Sequence, residues 1–348
     1  MSYARAAIAK IAGYAPGEQP QGQPLIKLNT NENPYPPSPK IMAAIREFDL
    51  ARLRLYPEPS ARLVREAAAD LYGFPPEQVI CGNGSDDLLT IALRTFVDQG
   101  RKLAFTTPSY SLYPVLADLQ GAVCQPVELD RDFNLPDDAA EQAGDAPLLI
   151  LARPNAPTGT NTPKAGVREL CRRFPGVVWI DEAYVDFSND DCLDLARDFP
   201  NVVVSRTLSK SYSLAGLRLG LAVASPCLIR EMNKVKDSYN VDMLTQIIGA
   251  AALRDAEAMR ANADRITATR AWLAAELTRL DAQVLPSAAN FIFAKPARPA
   301  ADVFADLRTR GFLVRYFNLP RISDYIRITI GRQQDMEAFV KAFAECGR

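Results

Sequence analysis

The chain is predicted to fold as an α/β protein. A large domain with a mostly parallel sheet flanked by helices should be followed by a small α+β domain. Three observations predict this. Continuous apolar runs, as at residues 147–152, 177–180 and 202–204, alternate with segments of helical spacing, the signature of strands buried on both faces. Polar motifs rich in glycine or proline follow those runs directly, where open α/β sheets collect functional residues. The length, 348 residues, is enough for one large core and a smaller one.

The elements follow in order. Residues 1–40 read as an extended arm. Residues 1–13 suit a short helix, after which Pro16, Pro20, Pro24, Pro34, Pro36, Pro37 and Pro39 exclude regular helix, while the apolar stretch at 25–28 favours packing on the body. Residues 41–240 form the large domain. Helices are expected at 63–72, 85–97 and 166–174, and strands at 78–82, 103–106, 126–129, 147–152, 177–180, 201–205 and 217–224. Residues 241–348 form the small domain. Long helices rich in Ala, Arg and Glu are expected at 228–241 and 245–280, one of them bridging the two domains. Strands follow at 283–285, 290–294 and 325–330, and helices at 302–310 and 335–346.

Composition removes whole classes of function. A net charge of -1 gives no general attraction to nucleic acid or to an anionic membrane, so acidic ligands must be held by local arginines. The chain has no histidine, which excludes a Ser-His-Asp or Cys-His nucleophile and any histidine-containing metal site. Its six cysteines are scattered without a C-x-x-C pair, so no metal is expected. No apolar run reaches the ~18–20 residues that span a bilayer, and no apolar leader opens the chain; a cytoplasmic protein with reduced thiols is the expectation.

The densest chemistry lies in Thr207-Leu208-Ser209-Lys210, with Arg218 eight residues on. A buried strand would deliver two hydroxyls, a lysine and an arginine to one loop. A desolvated lysine is a nucleophile toward carbonyls, and the hydroxyls and guanidinium suit a phosphate dianion. Lysine beside a phosphate site is what pyridoxal phosphate requires; the alternative is a solvated loop lysine among N-capping hydroxyls.

Other strand ends carry similar pairs of readings. Gly82-Asn83-Gly84-Ser85-Asp86-Asp87 can cradle an anion on free helical N–H groups, or merely cap a helix. Tyr110 can stack on a flat ring, or fill core. Asn155, between Pro154 and Pro157, can donate to a phenolate oxygen, or stabilise its own turn. Asp181 can partner a protonated ring nitrogen with Tyr184 nearby, or join a structural ion pair. Asn155, Asp181 and Lys210 are spaced by about one βαβ step each, so they are expected on successive strand ends facing one crevice.

With these motifs in view, nearly the whole chain resembles the fold-type I pyridoxal-phosphate-dependent aminotransferases of class I and II. The residues that carry the likeness are Leu28-Asn29-Thr30-Asn31-Glu32-Asn33-Pro34, Leu55-Tyr56-Pro57, the glycine loop at 82–86, the stretches at 108–114, 154–159, 181–187 and 206–220, and Tyr325-Ile326-Arg327. The arm and Val314-Arg315-Tyr316-Phe317 resemble the branch that acts on histidinol phosphate.

The resemblance implies roles. Lys210 would hold pyridoxal phosphate covalently and move the proton, Asp181 would keep the ring nitrogen protonated, and Tyr110 would stack on the ring; these three are the catalytic candidates. Asn155 and Tyr184 would bond the ring oxygen. Gly84, Ser85, Asp86, Thr207, Ser209 and Arg218 would hold the phosphate, with Tyr56 reaching it from the neighbouring subunit of a homodimer. Arg327, Arg315, Asn155 and Tyr14 would contact the substrates, an anionic amino donor and 2-oxoglutarate. Ala156 stands where a second Asn is common in the family, and Asp87 where Glu is common. An aromatic aminotransferase or a threonine-phosphate decarboxylase would share every cofactor residue. A cofactor-binding regulator would need a DNA-binding domain that the proline-rich arm is too short to supply.

Overall fold

The structure is a computed structural model that describes residues 3–20 and 25–346. Expectations that fall on 1–2, 21–24 (Pro24 among them) and 347–348 lie outside the described residues.

Seven strands form the large sheet: β1 (Val79–Gly82), β2 (Lys102–Thr107), β3 (Val123–Glu128), β4 (Leu148–Ala152), β5 (Val177–Asp181), β6 (Val202–Thr207) and β7 (Gly220–Ala224). Their order across the sheet is β1-β7-β6-β5-β4-β2-β3, and only β7 runs against its neighbours. The predicted mostly parallel sheet is therefore present, and all six parallel strands point their carboxyl ends to one edge. Because β7 is reversed, the residues just before it, Arg218 and Leu219, arrive at that same edge.

The apolar runs lack polar alternation because both faces of the sheet are covered. Leu149, Leu151, Val178, Ile180, Val202 and Val204 pack into one core layer. Their neighbours Leu148, Ile150, Trp179 and Val203 pack into the other. Period-2 side-chain geometry makes this division from an unbroken apolar sequence. Helix α1 (Ser85–Phe96) buries Leu88, Leu89, Ile91, Ala92 and Leu93 in the second layer, which sets its amino end at the carboxyl end of β1.

The C-terminal part is built on a four-stranded antiparallel sheet. It comprises β8 (Gln283–Val284), β9 (Phe291–Lys295), β10 (Arg315–Tyr316) and β11 (Ile326–Thr329), in the order β10-β11-β9-β8. Arg270, on a 24-residue helix, donates to the carbonyls of Phe187 (3.1 Å) and Ala289 (2.7 Å), tying that sheet to the edge of the large one. The arm adds a further link: Ile26–Lys27 pairs in parallel with Phe312–Leu313.

Several expected boundaries move for identifiable reasons. The arm's first helix is confined to Ala6–Ala9. The strand expected at 126–129 runs Val123–Glu128, at the sheet edge, where only Val127 is buried and no apolar run marks its start. The strand expected from 217 begins at Gly220. Ala215–Leu217 is a 3-10 turn and Arg218 takes φ 57°, a left-handed bend that redirects the chain. The helix expected at 228–241 ends at Val235, where Lys236 turns extended and its ammonium donates to Pro59 O. The segment 245–280 divides into α2 (Met243–Leu253) and α3 (Ala256–Arg279). Asp242 caps α2, and the break falls at Asp255, whose carboxylate takes Lys40 at 2.8 Å and the Ser38 hydroxyl. Among the described residues no helix is long and apolar enough to cross a membrane.

Candidate active site

A cavity of about 280 Å3 opens at the carboxyl edge of the large sheet and is closed on the other side by the arm and the small sheet. Most of the singled-out residues meet there: Tyr14, Ser85, Asp86, Tyr110, Asp181, Tyr184, Thr207, Ser209, Lys210, Arg218, Arg315 and Arg327 all line it. Asp181 and Lys210 come from adjacent strands, β5 and β6, as the one-step spacing predicts.

One wall is an anion cradle. The amino end of α1 presents Ser85 and Asp86, and the loop after β6 presents Thr207 and Ser209, whose hydroxyls are 3.0 Å apart. The Arg218 guanidinium spans the two, 3.2 Å from Ser209 Oγ and 3.6 Å from an Asp86 carboxylate oxygen. Two glycines make this approach possible. A Cβ on Gly84, where φ is +86°, would lie 2.6 Å from Arg218 Nη2. One on Gly220 would lie 2.6 Å from the Gly84 carbonyl carbon and the Ser85 nitrogen. Backbone N–H groups, hydroxyls and a guanidinium converging at a helix start suit a phosphate dianion.

Lys210 projects from the next wall. Its ammonium donates to Thr30 O at 3.3 Å and sits 5.6 Å from the centre of the Tyr184 ring, and among the described residues it has no carboxylate partner. The arm holds both neighbours in place. Asn33 Nδ2 donates to the Lys210 and Ser211 carbonyls, each at 3.1 Å, and Asn31 Nδ2 donates to the Tyr184 hydroxyl at 2.9 Å.

Asp181 forms the floor. It is 5% exposed and among the described residues no cation pairs with it; its carboxylate accepts from Tyr113 Oη at 2.9 Å and, at 3.5 Å, from Ser205 Oγ. Burial pushes this carboxyl up to about 6; the Tyr113 hydrogen bond opposes the rise and the charge of Asp86 adds to it. The neighbouring acid, Glu182, makes the structural ion pair instead, with Arg206 at 3.1 Å. Tyr110 stands edge-on to Tyr14 at 5.7 Å and to Tyr113 at 5.6 Å, and burial holds its phenol protonated, well above the ordinary range.

Opposite, β10 and β11 place Arg315 directly across from Arg327. Like charges in register destabilise a sheet, yet among the described residues neither arginine pairs with a carboxylate. Arg327 donates to Asn29 O at 2.8 Å, while its Nε is buried without a partner. Burial lowers its pKa from the ordinary value, and the charge of Arg315 lowers it further. The rings of Phe291 and Phe317 lie 5.3 and 5.4 Å from the guanidinium. These two cations await an anionic ligand.

Three expected residues, Asn155, Tyr56 and Gly84, are not in the wall of the cavity. Asn155 is beside it but not in its wall: its amide donates to Pro108 O (3.0 Å) and Thr158 Oγ1 (2.9 Å) and accepts from Ser109 (2.7 Å), clamping its own turn. Tyr56 is 79% exposed on the outer surface, stacked on Tyr239 at 4.6 Å. Gly84 acts through space rather than contact. Conversely, the sequence reading assigned no role to Tyr113, nor to Asn31, Asn33 and Thr30. The polar density of Asn29-Thr30-Asn31-Glu32-Asn33 was a usable signal for the arm residues. Tyr113 had none, because its hydroxyl sits among apolar neighbours.

Residues 23–343 match the family described as aminotransferase class I and II. The chain is similar to a histidinol-phosphate aminotransferase of Synechocystis sp., 48% identical over 341 residues that cover 98% of this chain and 97% of the relative. It is similar also to one of Citrifermentans bemidjiense, 46% identical over 342 residues, again 98% and 97%. Its fold is shared with the histidinol-phosphate aminotransferase of Sinorhizobium meliloti, solved in complex with pyridoxal-5'-phosphate: TM-score 0.91, 23% identity, 99% of this chain and 98% of that one.

Two outcomes follow from the site geometry. The folded chain binds a proton at Asp181 more tightly than the unfolded chain does, its value being about 6 against an ordinary 3.8. Stability should therefore fall as pH rises from about 4 through about 6, reaching a deficit on the order of 3 kcal/mol above that window. Cofactor-free Asp181→Asn should melt higher than the parent at pH 8, with the gap closing toward pH 4; thermal melts across pH check this, and a gap that stays constant would count against it. Gly220→Ala should cost about 1–3 kcal/mol and weaken anion binding, because the new methyl meets backbone that cannot yield. Phosphate titration followed by melting temperature tests it, and unchanged phosphate affinity would place the anion elsewhere.

Proposed function

The chain belongs to the aminotransferase class I and II family, and from that premise we propose that it transfers the amino group of L-histidinol phosphate to 2-oxoglutarate with pyridoxal phosphate as cofactor. The observation that carries this is one cavity holding an unneutralised buried carboxylate, Asp181, an unpaired amine, Lys210, and two unpaired guanidiniums, Arg315 and Arg327. The near-full-length likeness to histidinol-phosphate aminotransferases supports the choice of donor.

The residues fit the cofactor. Its phosphate suits the Gly84–Arg218 cradle, its protonated ring nitrogen suits Asp181, and its aldehyde suits Lys210. Bound there, pyridoxal phosphate supplies a carbonyl that takes up the amino group and a ring that accepts an electron pair. The protein supplies the rest. Lys210 Nζ, which lines the cavity without a carboxylate partner among the described residues, would hold the cofactor's aldehyde carbon and, as a free amine, would be the base placed to move the proton at the substrate's α-carbon. Asp181 holds the ring nitrogen proton, Tyr110 and Ala183 border the ring's space, and the arm excludes water from one side. Asn155 contributes by fixing the turn against Ser109.

Arg315 and Arg327 serve both half-reactions, binding the donor's phosphate and then a carboxylate of 2-oxoglutarate. An aromatic aminotransferase or a threonine-phosphate decarboxylase would use the same cofactor residues; a donor panel separates them. We further propose a homodimer in which Tyr56 reaches the neighbouring cradle. Support comes from Met42, Leu50, Leu53, Leu55 and Tyr56, all at least half exposed on one surface segment. We keep the arm at residues 1–40, the large domain at 41–240 and the small domain at 241–348. We place the enzyme in the cytoplasm, in keeping with six free cysteines.

Lys210→Ala should abolish transamination without loss of fold, and borohydride should fix the cofactor to Lys210 in the parent. Label on another lysine, or full turnover by the variant, contradicts the assignment. Arg327→Lys should keep the charge but lose the two-donor fork, lowering kcat/KM for histidinol phosphate and 2-oxoglutarate alike by roughly 10- to 100-fold. Steady-state kinetics on both substrates measure this. A defect confined to 2-oxoglutarate would shift the donor's phosphate to Arg315.

A further inference from the structure

Tyr113 lies in the first turn of the helix Leu112–Gln120, fully buried, in a core layer otherwise made of Leu88, Leu89, Ile91, Trp179 and their like. Phenylalanine would fill the same space, and a phenol there is costly unless its hydroxyl is used. It is used once, on Asp181 Oδ2 at 2.9 Å. Among the described residues the only other side-chain donor to that carboxylate is Ser205 at 3.5 Å, whose hydroxyl also accepts from Trp179 Nε1 at 2.9 Å.

We propose that Tyr113 is a positioning residue: its hydroxyl fixes the Asp181 carboxylate in one orientation and keeps it anionic at the cavity floor, ready for a ligand's protonated ring nitrogen. The second half rests on the cofactor assignment above; the first does not. Burial and Asp181 itself hold the Tyr113 phenol far above its ordinary range, so it remains a donor at any working pH. The other groups facing Asp181 cannot substitute. Asp86, at the start of α1, opposes its charge. Tyr110 gives its hydroxyl to Asp86 at 3.4 Å, and Tyr184 accepts from Asn31. Lys210 and Arg218 share the cavity but bond Thr30 O and Ser209. The Ala183 backbone N–H also donates to the carboxylate, but the Tyr113 hydroxyl is the strongest donor to it and the strongest brake on its proton affinity.

The test is a carbon-13 NMR titration of aspartate carboxyls in the cofactor-free chain, with Asp181→Asn identifying the resonance. Tyr113→Phe keeps the ring and its packing on Tyr110. It should raise the Asp181 midpoint by roughly one pH unit or more, and Ser205→Ala should raise it less. Site-specific 3-fluorotyrosine at 113, a stronger donor of the same shape, should lower the midpoint. Opposite shifts of this kind cannot come from packing. A midpoint unmoved in both Tyr113 variants overturns the proposal, as does a larger effect from Ser205→Ala; should Tyr113→Phe not fold, the fluorotyrosine chain alone decides. With cofactor added, Tyr113→Phe should also lose roughly tenfold or more of the preference for pyridoxal phosphate over its 1-deaza analogue. Failure of that arm with the titration intact would count against the cofactor assignment rather than against the role of Tyr113 in holding Asp181.

Discussion

An uncompensated carboxylate buried at the edge of the sheet is the constraint around which the rest of this molecule is arranged. Asp181 takes two hydroxyl hydrogen bonds and no cation, in a layer that is otherwise apolar. Desolvating an unpaired charge is among the largest costs a fold can carry. Across the cavity the opposite cost is carried by Arg315 and Arg327, held in register on adjacent strands. The two defects have opposite sign but do not meet, so the protein does not cancel them internally. A ligand with a cationic end and an anionic end relieves both, which converts folding stability given up in the free chain into selectivity for such a ligand.

Topology makes this arrangement affordable. Six parallel strands deliver their polar ends to one edge, and the single reversed strand, β7, returns Arg218 to the place where α1 begins. The closeness of that return depends on the absence of two methyl groups, at Gly84 and Gly220. Arg218 is half exposed, open to a soluble anion, whereas Asp181 is buried and shielded from water. Glu182, one residue beyond Asp181, points away to Arg206, so alternation along the chain separates the ion-paired acid from the one that lines the cavity.

Much of this was legible in the sequence, for reasons that can be named. Strands buried on both faces announce themselves as unbroken apolar runs, so β4, β5 and β6 were readable, and Lys210 and Asp181 with them as the polar residues that end those runs. The one-step spacing placed them on neighbouring strands because βαβ units have a narrow length. Edge strand β3 begins three residues earlier than expected because an exposed edge strand, interrupted here by Gln125 and Pro126, has no continuous apolar run to mark it. The break between α2 and α3 was missed because Asp255 stops the helix through a tertiary contact with Lys40 and Ser38, 215 and 217 residues away in the chain. Asn155 is the residue whose two readings the sequence cannot separate. An amide between prolines reads equally as ligand contact or turn clamp, and here the clamp uses its donors and its acceptor.

The arm completes the logic: its proline-rich part has little regular structure beyond the short pairing of Ile26–Lys27 with Phe312–Leu313. Several of the hydrogen bonds that order it lie at the cavity. The Asn31 N–H donates to Thr329 Oγ1 and its side-chain amide donates to Tyr184; the Asn33 amide donates to the Lys210 loop; Leu28 O accepts from Thr329 N. Glu18 pairs with Arg308 on the outside, at 2.6 Å. Prolines suit this task because they fix φ in advance and leave fewer backbone donors to satisfy, so the segment loses less entropy on docking. The arm therefore cannot pack without bridging both sheets over Lys210, and whatever fills the cavity beneath it bears on the same bonds. Docking of the arm and the wall of the cavity therefore rest on the same hydrogen bonds, at Thr30, Asn31 and Asn33.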